Sequence, residues 1–185
     1  MKELSLNVLD IAQNSVKAEA DLIRICIEET EESLTFSITD NGYGMTPEVL
    51  ARVETPFYTT RTTRKVGLGI PLLKLAAEQT GGDVTITSRH RDAFPDSHGT
   101  KVVARFYKTH IDFTPLGDIV STLTTLIQGS PSIDFEFSHV TPDTEVRLDT
   151  RELRQVLGEE IPLNEAEIIR WIADYLKEQY ENKKI

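Results

Sequence analysis

Three polar side chains near the amino terminus have types and a spacing suited to holding a phosphate and its metal. Asp10 and Asn14 are four residues apart, so both lie on one face if the segment is helical, and Lys17 follows close to that face. An amide oxygen can complete the ligand shell of Mg²⁺, and a carboxylate can orient or deprotonate a nucleophile. The lysine can neutralise phosphate. The alternative interpretation is a solvated helix face.

A second group of candidate residues begins at Asp40 and continues through Gly42, Gly44 and Met45. Glycines allow the backbone to turn sharply and to approach a flat ligand closely. An ionised carboxylate only accepts hydrogen bonds, so Asp40 could bind the exocyclic amine of adenine. A tight turn after a strand would also have this sequence.

A third group precedes a predicted helix and contains the sequence Gly67-Leu68-Gly69. Backbone amides at a helix amino terminus can bind phosphates, and the helix dipole strengthens that binding. Arg64 and Lys65 directly before these glycines add positive charge. An ordinary glycine-containing loop is the alternative, because short glycine motifs are frequent.

The elements that would position these groups can be predicted from periodicity. A helix is expected over residues 4–18, with an apolar stripe at Leu9, Ala12 and Val16. The other elements expected in this region are strands at 22–28, 34–39, 84–87 and 101–107, a helix from Thr46-Pro47 and a helix at 70–80. This order predicts an α+β protein with helices on one face of a mixed or antiparallel sheet.

A second unit is expected to begin near Thr109, which gives two predicted domains, residues 1–108 and 109–185. The second has the order αββαα: a helix from Thr114-Pro115 through residue 127, a hairpin across residues 141–143 and two acidic helices. We find no motif in this region that indicates a role.

Composition narrows the class of function. Thirty acidic and 20 basic residues give a formal charge of −10, which disfavours nonspecific binding to nucleic acid or to an anionic membrane. We expect neither a signal peptide nor a membrane-spanning helix, because no apolar run approaches ~20 residues. The single Cys26 excludes an internal disulfide framework, and we expect a cytoplasmic protein.

Together, the motifs resemble those of the GHKL superfamily, which includes gyrase-type ATPases, heat-shock chaperone ATPases, mismatch-repair MutL proteins and histidine kinases. The segment from Leu9 to Ala18 looks like the N box, Asp40 to Met45 like the G1 box, and Gly67 to Ile70 like the G2 box. Residues 54–61 are similar to the F box of histidine kinases, and Gly81-Gly82 and Gly99-Thr100 resemble the closing elements of the family. Because of the F box, the resemblance is strongest to the histidine kinases of this superfamily.

The resemblance implies the Bergerat fold, a two-layer α/β sandwich, together with ATP and Mg²⁺ as ligands. It implies that Asn14 coordinates Mg²⁺ and that Asp40 binds the adenine amine, with Thr100 beside it through water. It also implies that Lys17 contacts phosphate. The glycines Gly42, Gly44, Gly67 and Gly69 would shape the pocket and a lid at residues 55–65.

Two departures from the family pattern bear on the reaction. Hydrolytic members carry glutamate four residues before the N-box asparagine, whereas this chain has the shorter Asp10, so the resemblance does not imply hydrolysis. Thirteen residues precede Asn14, and we therefore expect no phosphoacceptor hairpin ahead of it. Residues 110–116 resemble an H box, which makes His110 a candidate phosphoacceptor. In the alternative interpretation, His110 ends a strand and Thr114-Pro115 starts a helix.

The expected function is binding of ATP and Mg²⁺ with phosphoryl transfer to a partner protein. The alternatives are a nucleotide-gated ATPase or switch whose carboxy-terminal unit docks a partner, and an ATP-binding module without catalysis. We expect a protein partner to bind through residues 109–185, and a homodimer is also possible.

Overall fold

A computed structural model of the chain describes residues 3–54, 69–158 and 160–183. Within those ranges it contains six helices and six strands. In chain order they are α1 Leu4–Lys17, β1 Leu22–Glu29, β2 Ser33–Asp40, α2 Pro47–Glu54, α3 Gly69–Gln79, β3 Asp83–Arg89, β4 Gly99–Tyr107, α4 Ile119–Gly129, β5 Asp134–Val140, β6 Glu145–Asp149, α5 Thr150–Leu157 and α6 Ala166–Lys183. The predicted α+β class is confirmed.

The six strands form one mixed sheet in the order β3-β4-β2-β1-β5-β6. Only β1 and β5 run parallel; the other neighbouring pairs are antiparallel. The pairing of β2 with β4 places Asp40 opposite Thr100 at one end of the sheet and Ser33 opposite Tyr107 at the other. The register therefore brings the G1 motif and the Gly99-Thr100 motif to the same end.

One face of the sheet forms the hydrophobic core. Alternate residues of β1 and β2, such as Ile25 and Phe36, are buried, while their neighbours are partly or fully exposed. The buried side chains of α1, α3, α4 and α6 join the same cluster. This alternation is typical of a sheet covered by helices on one side.

Within α1, the buried face differs from the predicted stripe. The buried residues include Leu4, Val8, Ile11 and Ala12, whereas Leu9 and Val16, two of the three predicted positions, are only partly buried. Leu9 and Val16 still pack against the core, so the predicted stripe lies at the edge of a buried face that is wider than predicted. Ser15 lies on the buried face as well, which matters for the candidate site.

The helix predicted to open at Thr114-Pro115 begins instead at Ile119, with Asp118 as its N-cap. The carbonyl groups of Pro115 and Leu116 accept hydrogen bonds from the first amides of α1, at 2.9 and 2.8 Å. These residues therefore cap α1, which satisfies amide groups that a helix amino terminus leaves unpaired.

Residues 109–185 extend the same sheet. Strand β5 pairs with β1 along its length, and the amide of Asp134 donates to the carbonyl of Asp21 at 2.9 Å. Helix α4 packs against α1 and α6. The predicted boundary at residue 108 thus separates two sequence regions whose strands share one sheet and one core.

Candidate functional site

The carboxylate of Asp40 lies at the centre of a hydrogen-bond network at one end of the sheet. Its Oδ1 accepts from the backbone amides of Gly42 at 2.9 Å and Thr100 at 3.2 Å. Its Oδ2 accepts from the hydroxyl of Ser15 at 2.5 Å. Helix α1 and strands β2 and β4 therefore fix this carboxylate from three sides.

The predicted Thr100 contributes through its backbone and its hydroxyl. The Thr100 Oγ1 lies 2.8 Å from Ser88 Oγ. Ser88 also donates to the carbonyl of Gly99 at 3.1 Å and accepts from the amide of Met45 at 2.8 Å. Ser88 thus links β3 to the G1 turn, and it places Met45 beside the Asp40 network.

The turn after Asp40 requires glycine where the backbone comes closest to neighbouring segments. Gly44 has φ +69°, and a β-carbon there would overlap the carbonyl oxygen of Arg89. Gly99 has φ +131°, and a β-carbon there would overlap the carbonyl oxygen of Asp40. Residues other than glycine rarely adopt such φ values. These positions therefore favour glycine because of the backbone conformation and because no space is left for a β-carbon.

The N-box residues lie on α1 as expected. Asn14 is half-buried, whereas Asp10 and Lys17 are exposed. In the described part of the chain, the Asn14 side chain has no hydrogen-bond partner and Lys17 no ion pair, so both are available to a ligand. Because Ser15 is the next residue after Asn14, α1 places Asn14 near the Asp40 network.

The amino end of α3 approaches the N box. A β-carbon on Gly69, the first residue of α3, would lie 3.4 Å from the β-carbon of Asp10. The first turn of α3, which includes Pro71 and so offers amides only at its other positions, therefore lies beside the candidate base. This arrangement has the features of an anion site at a helix terminus.

Several predicted residues lie outside the described part of the chain. They are Arg64, Lys65, Gly67, Leu68, the F box from residue 55 onward and the predicted lid at residues 55–65. The described ranges hold no group of three or more His, Cys, Asp or Glu residues that could bind a metal.

His110 does not lie with the other candidates. It is an exposed turn residue beyond Tyr107, the last residue of β4. The eight residues from Thr100 to Tyr107 span about 23 Å of extended strand. His110 therefore lies at the opposite end of the sheet from Asp40. The alternative interpretation that it ends a strand was wrong, because β4 ends at Tyr107.

Sequence reasoning overlooked three residues that organise the site. Ser15 and Ser88 hold the network around Asp40, and Asn41 Oδ1 accepts from the amides of Asp21 and Leu22 at 2.9 and 3.0 Å. Ser15 could have been placed on the buried face of α1 from its spacing. It lies four residues after Ile11 and three after Ala12, which are both buried. Ser88 had none, since its role depends on the pairing of β3 with β4.

Curated proteins that resemble the chain are sensor kinases. A putative sensor histidine kinase NtrY-like of Rickettsia conorii is 26% identical over 93 residues, which is 50% of this chain and 15% of that protein. The sensor protein kinase FleS of Pseudomonas aeruginosa is 40% identical over 58 residues, 30% of this chain and 14% of that protein. The chain thus spans about one seventh of the length of these relatives.

Solved structures share the fold. The N-terminal domain of a DNA repair protein has a TM-score of 0.55 at 19% identity. The match covers 80% of this chain and 53% of the chain of that structure. The Aquifex aeolicus MutL ATPase domain in complex with ADP has a TM-score of 0.54 at 13% identity. That match covers 85% of this chain and 69% of the MutL chain. The likeness therefore extends beyond residue 110 into the carboxy-terminal region.

The sequence profile of histidine kinase-, DNA gyrase B- and HSP90-like ATPases matches residues 2–110. That range includes Asp10, Asn14, Asp40 and Thr100, and it covers more than half of the chain. The sheet with its helical layer agrees with the fold of the MutL ATPase domain. The chain belongs to the family of histidine kinase-, DNA gyrase B- and HSP90-like ATPases.

Proposed function

We propose that the chain binds ATP together with Mg²⁺ between Asp40 and the amino end of α3. The observation that carries this proposal is the hydrogen bonding of Asp40. A carboxylate has about four lone-pair positions, and three accept from Ser15, Gly42 and Thr100. The remaining position can accept one hydrogen bond from the exocyclic amine of adenine.

The residues around the proposed phosphate position fit a hard cation and a polyphosphate. Asn14 offers an amide oxygen with no partner among the described residues, and Lys17 offers an unpaired positive charge. The first turn of α3 offers backbone amides beside Asp10. Bound Mg²⁺ would neutralise the phosphates, while Asn14 would hold it as one of few protein ligands.

The reaction that we propose is phosphoryl transfer to a partner protein. Support comes from the relatives, which carry the names of sensor kinases, and from Asp10, which lies beside the first residue of α3. From that position, Asp10 would orient the nucleophile of the partner and accept its proton. His110 is a weaker choice for the phosphate acceptor, since about 23 Å of strand separates it from Thr100.

A nucleotide-gated switch is the second candidate, and one contact favours it. Helix α4, from the carboxy-terminal region, packs against α1, the helix that carries Asn14. A cavity of about 250 Å³ between them is lined by Gln13, Lys17 and Ser130, among others. A movement of Lys17 towards phosphate would change this cavity, and so couple ATP to the region that would dock a partner.

Calorimetric titration with ATP and Mg²⁺ tests the binding proposal, with Asp40→Asn as the variant. Because Oδ1 faces two backbone donors, the new amide oxygen must take that position, and the NH₂ group then replaces Oδ2. The adenine amine would meet a donor instead of an acceptor, which costs roughly 1–3 kcal/mol. We expect ATP affinity to fall by about ten- to a hundredfold.

The matched control is Asp83→Asn, which makes the same change at an exposed position at the start of β3. It should leave ATP affinity unaltered. Wild-type chain that fails to bind ATP would refute the proposal, and equal affinities of wild type and Asp40→Asn would remove Asp40 from adenine recognition.

Transfer and hydrolysis can be separated with γ-labelled ATP. Label that moves to an added partner protein in the presence of wild type, but not of Asn14→Ala, supports the kinase. Label on the chain itself that disappears in His110→Ala would establish His110 as an acceptor. Phosphate release that Asp10→Asn abolishes, without labelled protein, would favour the ATPase or switch instead.

A further inference from the structure

The outward face of α6 carries two stacked aromatic rings. The rings of Trp171 and Tyr175 have centroids 5.3 Å apart and planes inclined by 6°. Trp171 is 51% exposed and Tyr175 39%. Exposed tryptophan is uncommon outside interfaces, where aromatic residues are enriched.

Four carboxylates follow the same face of the helix. Glu167, Asp174, Glu178 and Glu181 recur at spacings of seven, four and three residues, which places them on one stripe beside the rings. All four are exposed, and within the described ranges no ion pair is formed by any of them, despite Arg170 and Lys177 on the same helix. We call these four carboxylates and the two rings the α6 stripe.

A cavity of about 440 Å³ lies next to the α6 stripe and shares Tyr175 with it. Its lining includes the carboxylates of Glu136, Asp149 and Glu152 together with the side chains of Arg147 and Gln179. Arg151 already pairs with Glu136 and Asp149. Gln179 fixes this helix to the edge of the sheet. Its side-chain Nε2 donates to the backbone carbonyl of Arg147 at 2.9 Å, and its Oε1 accepts from the backbone amide of Arg147 at 3.1 Å. The stripe is thus held at a defined position beside this cavity.

We propose that the α6 stripe docks an arginine-containing segment of a partner protein. A guanidinium group stacks on aromatic faces and also pairs with carboxylates, and both kinds of contact are presented here on one helix face. An acidic segment would be repelled by the carboxylates. A purely apolar segment would remove water from them without pairing them, which is unfavourable. This proposal does not depend on nucleotide binding, because it concerns residues on α6 alone.

The chain has a single tryptophan, so its emission reports directly on the stripe. The probe is the octapeptide (Arg-Ala)₄ with both ends blocked, and the same peptide with glutamate in place of arginine is the charge control. We expect saturable quenching or a shift of Trp171 emission with the arginine peptide only. Because surface ion pairs are screened by ions, binding should weaken as salt is raised.

The variant that tests the carboxylates is Glu167→Gln/Asp174→Asn/Glu178→Gln, which keeps the reporter. It should lower peptide affinity by at least about fivefold, as expected for the loss of several exposed pairs. The matched control is Glu28→Gln/Glu31→Gln/Glu32→Gln, three exposed positions at the end of β1 and in the turn that follows it. It removes the same net charge and should leave affinity within about twofold.

Three results would overturn the proposal. Emission that does not respond to the arginine peptide would exclude docking at Trp171. Equal weakening in both triple variants would mean that only net charge attracts the peptide. Emission that changes with protein concentration alone would identify a second copy of the chain as the occupant. Asp40→Asn should bind the peptide normally, so failure of nucleotide binding and failure of this proposal remain distinguishable.

Discussion

The hydroxyl of Ser15 donates to Asp40 Oδ2 across a distance of 2.5 Å. This bond joins the helix that carries Asn14 to the strand that ends at Asp40. Ser15 is only 3% exposed, so water does not replace the contact readily. The proposed metal ligand and the proposed adenine acceptor are therefore positioned relative to each other through one serine.

Ser15→Ala should weaken ATP binding while the fold is retained. A hydrogen bond to a charged acceptor contributes roughly 1.5–3 kcal/mol, and its loss leaves Asp40 less well oriented. We expect about a three- to tenfold lower affinity in calorimetry. Ser132→Ala, at an exposed position, is the control. An unchanged affinity in Ser15→Ala would mean that Asp40 is positioned by its two backbone donors alone.

Gly44→Ala should destabilise the chain strongly. The backbone at residue 44 has φ +69°, and the added methyl group would overlap the carbonyl of Arg89. Strain of this kind costs on the order of 1–3 kcal/mol, which urea denaturation can measure. Gly129→Ala is the control, because a β-carbon there meets no atom within 4 Å. Similar losses in both variants would contradict the close approach at Gly44.

Asn14→Ala should remove the dependence of ATP affinity on Mg²⁺. The amide oxygen is the one protein ligand that we assign to the metal, so the variant should bind ATP about equally well with Mg²⁺ and with chelator. The neighbouring Gln13→Ala leaves that oxygen in place and should retain the Mg²⁺ effect. A Mg²⁺ effect that survives in Asn14→Ala would show that phosphate oxygens and other groups bind the metal.

A buried histidine lies at the far end of the sheet. His139 is 1% exposed; its Nε2 lies 3.2 Å from Glu29 Oε2 and its Nδ1 lies 3.0 Å from the Tyr180 hydroxyl. Lys108 pairs with the other oxygen of Glu29 at 2.6 Å. Burial lowers the pKa of His139 below its usual 6.5, although Glu29 partly opposes that shift.

Stability should therefore fall as the pH decreases through the unfolded pKa of histidine. Below about 6.5 the unfolded chain binds a proton that the folded His139 resists, so the unfolded state is favoured. We expect the free energy of unfolding to decrease between about pH 7 and pH 5, and to decrease less in His139→Gln. Asp149→Asn should leave the pH dependence of stability between pH 7 and pH 5 unaltered. Arg151 lowers the pKa of Asp149 below its usual 3.8, so this carboxyl does not titrate in that interval. Equal slopes in wild type and His139→Gln would contradict the assignment.

The local elements were largely predictable from the chain itself. Alternation of apolar and polar residues located β1 and β2, and capping residues located the start of α2 at Pro47. The segment 114–118 was not predictable, because it forms bonds to Leu4 and Ser5. Propensity measures local preference, and such tertiary bonds override it.

The sequence by itself determined which chemical groups are available: the amide of Asn14, the carboxylate of Asp40 and glycines where only glycine fits. It determined the family as well, since the motifs occur in their required order. Only the tertiary structure decided that Ser15 and Thr100 share Asp40, that β5 extends the sheet beside β1, and that His110 lies far from the site. Such relations depend on strand register and helix packing between residues distant in sequence, which local patterns do not encode.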